Sequence, residues 1–361
     1  VASAPRLFGP RADLLVFGGP VLLGAALALL APFLAPSGAL PPWAYLALVV
    51  GVDVAHVHAM AFRTYLDPEE LARRPLLYAA VPAGLYVAGV LLHGHSSLLF
   101  WRVLAYVAVF HFVRQQVGWV AILRARAGER DRLGRVLDDA VIYAATGYPL
   151  LHWHSHGPRN FSWFVPGDFV ALPALAALTD VVGLVYAALA VAYIARAISA
   201  SRRGASNPSK HLVVAGTALT WWLGIVAFDS DLAFTATNVL AHGVPYLALL
   251  WIYTRRRGAE RPAGFVGRVA SAGLLAFLAV VLVVAFAEEA AWDHLVWHEH
   301  GALFGGSVDD ASPSDFALSL LVPLLALPQA THYVLDALLW RRRDTGSAQA
   351  LTLGFSPAKA P

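Results

Sequence analysis

The chain has no cysteine in its 361 residues. Disulfides, thiolate metal sites and thiol nucleophiles are therefore excluded. Charge is scarce: Asp, Glu, Lys and Arg make up 14% of the chain, against 58% hydrophobic residues. A soluble domain would carry roughly a quarter charged residues, so a water-facing globule is excluded too. No His-Glu-x-x-His run is present, which argues against a zincin protease. Neither a repeat of fixed period nor an inverted repeat is visible.

What the chain has in quantity is apolar sequence. A spanning helix needs about 20 mostly apolar residues. Stretches of that kind cover 13–34, 43–64, 75–93, 97–123, 137–153, 170–196, 210–228, 232–254, 264–287 and 315–340. The fifth is short and carries Asp138 and Asp139 near its start. The expected fold is all-α: a polytopic integral membrane helix bundle of about ten transmembrane helices. It forms a single domain over 1–343, with an outward-facing loop at 288–314 and a mobile cytoplasmic tail at 344–361.

The placement of charge orients the bundle. Basic residues follow every even-numbered helix: Arg63, Arg73 and Arg74; Arg124 to Arg135; Arg196 to Lys210; Arg255 to Arg268; and Arg341 to Arg343. Among the opposite loops Arg159 is the main exception. The positive-inside rule then places both termini in the cytoplasm, and a bacterial inner membrane is the expected location. The N-terminal stretch shows no cleavage-site pattern, so the first helix is expected to be retained. The basic clusters are split over short loops, so they report anionic headgroups of the lipid bilayer and not nucleic acid.

Fourteen histidines carry the chemistry. Five lie inside apolar segments: His56, His58, His111, His242 and His332. An ionisable group at membrane depth is costly and needs a partner or a purpose. These five lie roughly 10–17 residues into helices that all run the same way, so four helices can aim imidazoles at one point. His56 and His58 are two apart and cannot both face one centre; Asp53, three before His56, favours His56. Gln115 follows His111 by four and lines its face, and Asn238, His242 and Tyr246 form a stripe of the same period. Pro245 should loosen the backbone there, and Pro328 should kink the helix just ahead of His332.

Imidazoles suit iron, zinc and copper, and a ligating histidine commonly donates its other N–H to a carboxylate or amide. Asp53, Asp336, Gln115 and Gln329 can fill that supporting role. Arg114, at membrane depth, needs a carboxylate or carbonyl, and Asp53 and Asp336 are candidates. Asp336 has a competing partner in the basic end near Arg341. The alternative for each histidine is a hydrogen-bonded helix–helix contact.

Eight further histidines fall at outward-facing loops, and His211 falls on the cytoplasmic side. His152, His154 and His156 align only if their segment is extended. His294 and His298 would share one helical turn, with His300 beside them. These two groups are candidates for an outer metal site. The alternative is a wet interfacial surface, with Trp153, Trp163, Trp292 and Trp297 as an aromatic belt.

The order of the intramembrane motifs resembles that of the Brp/Blh-like membrane β-carotene 15,15′-dioxygenases. Asp53 and His56 are similar to the early His and Asp of that family, in reversed order. His111-Phe112 is similar to its middle His-Phe. His242 is similar to the first of two later histidines, with Tyr246 in place of the second. Pro328, His332, Asp336 and Arg341 are similar to the final helix, with altered spacing. The resemblance implies a multi-helix protein whose intramembrane histidines hold iron, and a metal-dependent oxygenase acting on a lipophilic small molecule such as a carotenoid.

Three functions follow as expectations. The first is a membrane-embedded non-haem iron oxygenase with His56, His111, His242 and His332 on the metal, zinc or copper being the alternatives. Tyr246 and Gln115 would line the open position. The second is a haem b or quinone redox protein, with histidines as axial ligands. The third is a proton- or ion-coupled transporter using the buried His, Asp and Arg.

Overall fold

The computed structural model describes residues 7–305 and 313–339. The basic end at Arg341–Arg343 and the tail at 344–361 lie outside the described residues. Everything described is helix or connection, with no strand among the described residues.

The long helices are α1 (Pro10–Leu34), α2 (Pro42–Arg63), α3 (Pro75–His95), α4 (Ser97–Arg126), α5 (Arg132–His156) and α6 (Pro173–Arg202). They continue with α7 (Pro208–Ala227), α8 (Asp231–Glu260), α9 (Leu274–Trp297), α10 (Asp315–Leu325) and α11 (Leu327–Leu339). Polar caps start several of them. Asp131 accepts from the Gly134 N–H at 2.6 Å, Asn207 from Lys210 at 3.3 Å and Ser314 from Ala317 at 3.3 Å. Each satisfies an N–H that has no partner within its own helix.

Eight of these helices are long and apolar enough to cross a membrane, or nine if α10 and α11, bent by 41°, form one span. Ten were expected, and the described residues supply eight or nine helices of that length and apolarity. α5 is a helix of 25 residues but too polar to qualify. Its Asp138 is fully buried and meets Arg124 and Lys210. The ninth stretch is also corrected. Gly273, at φ 97, breaks it into a short helix (Phe265–Ala272) and α9, and α9 runs on to Trp297. The loop expected from 288 starts later: Glu288 and Glu289 lie within α9, where they meet His58 and Tyr45 of α2.

The described residues fall into two groups of helices. The first takes residues 7–41 and 112–245, so it holds α1, α5, α6, α7 and parts of α4 and α8. Small residues let helices approach closely there, as is usual in membranes. A Cβ on Gly24 of α1 would sit 3.0 Å from the Ala236 carbonyl oxygen of α8. A buried ionic network closes one end. Lys210 Nζ lies 2.6 Å from Glu129 and 3.1 Å from Asp138, and Asn207 donates to the Leu123 carbonyl at 3.1 Å.

The second group takes residues 42–111, 246–305 and 313–339. Met60, Tyr78, Leu335 and Leu339 form an apolar centre there. Asp67 ties the chain after α2 to the end of α8. It accepts from Tyr253 at 2.6 Å and from Arg257 at 2.6 and 2.9 Å. Burial alone would raise the Asp67 pKa, but the hydrogen bonds from Arg257 and Tyr253 and the Arg257 charge outweigh it, and the net shift is downward.

Candidate metal centre

His56 and His332 meet edge to face in the second group of helices, with ring centroids 4.9 Å apart, and His111 lies 4.6 Å from His332. Helix α2 turns His56 inward, and its Nδ1 meets the Val52 carbonyl at 3.3 Å. With Nδ1–H donated to that carbonyl, Nε2 is the nitrogen left for other work. Asp53 lies 3.7 Å from the same Nδ1. His332 sits on α11 just past the break that separates it from α10, as Pro328 led one to expect. It is wholly buried, and neither ring nitrogen makes a hydrogen bond. Asp336 Oδ2 is 4.0 Å from its Nδ1, and Asp336 accepts the Tyr246 hydroxyl at 2.9 Å.

Helix α8 runs unbroken through Pro245, so His242 stands one turn before Tyr246 on the same face. Its ring stacks on Phe112 at 3.6 Å and 6°. His56, His111, His242 and His332 are all buried, and one ring nitrogen from each lies within 4.8 Å of the others. This buried four-histidine group could hold a metal ion. The donor set fits: four imidazoles suit iron, zinc or copper. A wholly buried imidazole with both nitrogens unbonded is the kind of cost that a bound ion would relieve.

Other expected residues are placed differently. His58 turns away and lies 2.6 Å from Glu288. Gln115 stands one turn past His111 on α4, and both of its amide atoms are buried without a hydrogen bond. Gln329 hydrogen-bonds Tyr333, whose ring lies 5.0 Å from His111. Arg114 does not meet Asp53 or Asp336. It is exposed and donates to the Tyr143 hydroxyl at 2.6 Å, because its position on α4 points sideways from His111.

No outer metal group of three ligands forms among the described residues. His152, His154 and His156 are helical, not extended. His152 and His156 stack at 4.0 Å, while His154 meets the Val170 carbonyl at 2.7 Å. His298 adopts a left-handed conformation at φ 55 just past the end of α9, so it shares no turn with His294, which meets the Ala290 carbonyl at 2.8 Å. Sequence reasoning missed Tyr45, Glu288, Glu289 and Tyr333. The adjacent Glu288-Glu289 pair was a usable signal: no Lys or Arg occurs between Arg268 and Arg341 to neutralise it.

Fold and site define an all-helical protein with helices of membrane-spanning length and a buried four-histidine group. No known protein family, curated protein or solved structure matches this chain.

Proposed function

We propose that this protein is a membrane-embedded metalloenzyme, a non-haem iron oxygenase acting on a lipophilic substrate such as a polyene or lipid, in a bacterial inner membrane. The observation that carries the reading is the set of four buried histidines with ring nitrogens within 4.8 Å of one another. A redox metal held there would supply the binding and activation of dioxygen. The likeness of the motif order to the Brp/Blh-like dioxygenases supports the same reading.

The residues of the chain have separate tasks. His56, His111, His242 and His332 would hold the metal. Val52 and Asp53 orient His56, and Tyr246 holds Asp336 beside His332. The unbonded Gln115 amide would take a polar group of the substrate or of oxygen. Surrounding apolar side chains exclude water, and a lipophilic substrate would arrive sideways from the lipid. A haem reading fits less well, since beside any two histidines taken as an axial pair the other two would stand where the macrocycle must lie.

Elemental analysis of the purified protein tests the proposal. Wild type should carry iron in about one-to-one ratio, and His332→Ala should lose nearly all of it. Wild type without stoichiometric iron, zinc or copper would overturn the metal reading. Stoichiometric metal with no oxygen uptake in the presence of polyenes or lipids would overturn the oxygenase reading alone.

A further inference from the structure

A row of carboxylates on α2 and α9 leads to the histidines from one end of the second group of helices. It starts at exposed Glu299 and at Asp293, which is almost wholly buried. Asp293 Oδ1 accepts from the backbone N–H groups of Glu299 at 2.9 Å and His300 at 2.7 Å. The His300 ring stacks on Tyr45 at 3.8 Å, and Tyr45 donates to Glu289. Glu289 precedes Asp293 by four and shares its face of α9. It lies within electrostatic reach of Glu288, Asp293 and Asp53. Asp53 ends the row 3.7 Å from His56 Nδ1.

The charge balance of this row needs a reason. Glu299, Asp293, Glu289, Glu288 and Asp53 stand on segments without Lys or Arg: none occurs between Arg11 and Arg63, and none between Arg268 and Arg341. Asp293 and Glu289 are buried, and the charged partners on the row are imidazoles, His58 at 2.6 Å from Glu288 and His300 at 3.9 Å from Asp293, so a file of carboxylates with no Lys or Arg on its own segments would draw a divalent cation inward. Oxygen ligands hold divalent transition ions less firmly than imidazole, so an ion passing along them would be handed on to the nitrogens. An independent observation marks the destination. His332, wholly buried and with both nitrogens unbonded, lies 4.9 Å from His56 at the inner end of the row.

We infer that these carboxylates are the loading route by which a divalent metal ion reaches the four histidines. The inference rests on the reading of those histidines as metal ligands. A route differs from a ligand in what it alters: it changes the rates of uptake and release together and leaves the affinity alone.

The test uses the full-length protein in detergent, stripped of metal by chelator and then mixed with Co²⁺. Uptake is followed by visible absorbance, and release by chelator challenge. A Glu288→Gln/Glu289→Gln double variant keeps the side-chain shapes and the acceptor for Tyr45. It should take up Co²⁺ about tenfold more slowly than wild type, release it more slowly by the same factor, and reach the same final stoichiometry. Asp180→Asn, an exposed acid elsewhere, should load like wild type. Unchanged rates in the double variant, or weaker binding at an unchanged uptake rate, would overturn the route while leaving the histidine reading in place. A wild type that takes up no Co²⁺ would overturn both.

Discussion

Tyr246 shows how much one hydroxyl can decide. The sequence places it where a related pattern has histidine, which suggested a residue lining an open metal position. In the structure its hydroxyl donates to Asp336, whose other oxygen is 4.0 Å from His332 Nδ1. Its first role is to position that carboxylate. Tyr246→Phe would leave a buried acceptor short of a donor, at about 1–3 kcal/mol. Metal affinity should fall about 10–100-fold, as is usual when a partner of a ligating histidine is lost, and a competitive chelator titration would read it. An affinity equal to wild type would show that Asp336 does not orient His332. The choice between His56 and His58 was legible, because Asp53 shares a face with one and not the other. The partner of His58 was not, because Glu288 comes from a helix more than two hundred positions away.

At the scale of helices, the ionic network at the start of α7 makes the strongest claim. Lys210, almost wholly buried, meets both Glu129 and Asp138. Lys210→Met would remove charge-assisted hydrogen bonds from buried Asp138 and half-buried Glu129, leaving both to Arg124, and should destabilise the protein by about 1–3 kcal/mol, read as a lower unfolding temperature in detergent. The same contacts set a pH dependence. Burial alone would raise the Glu129 pKa, but hydrogen bonds from Lys210 and Asn207, with the charges of Lys210 and Arg124, bring it below its ordinary 4.5. Asp67 is lowered from 3.8 in the same way by Arg257 and Tyr253. A lowered folded-state pKa adds stability that is complete above the ordinary carboxylate range and is lost as pH falls through the lower folded values. The unfolding temperature should therefore drop on acidification below about pH 4, and less steeply in Glu129→Gln. Helix contact through glycine gives a further prediction: Gly24→Val would force α1 off α8 and cost about 1–3 kcal/mol. None of these pairings shows in local sequence, where Lys210 reads only as one more cation near a helix end.

For the whole molecule, the contrast between helices is informative. In α6 only 6% of the most apolar window is buried, whereas in α8 83% is. A helix as apolar as α6 with so little protein cover is suited to lipid, whereas α8 is largely covered by protein. The absence of cysteine makes the orientation testable with single introduced thiols. Ser97→Cys, at the start of α4, and Ser271→Cys, after α8, are both at exposed positions. The charge distribution predicts that a membrane-impermeant reagent labels the first from outside and the second only from the cytoplasmic side. Labelling of both from one side would reject the orientation.

Length and apolarity of each segment, the all-helical class and the matched depths of His56, His111, His242 and His332 are properties of the sequence alone. They depend on local composition and on the fixed rise of a helix, which need no knowledge of neighbours. Only the tertiary structure decided that α5 is held by buried ion pairs, that Arg114 turns to Tyr143, that Tyr246 serves Asp336, and that the outer histidines do not gather. Those outcomes turn on which side chains meet across helices far apart in sequence, and a pattern read along one strand of residues carries no information about that meeting.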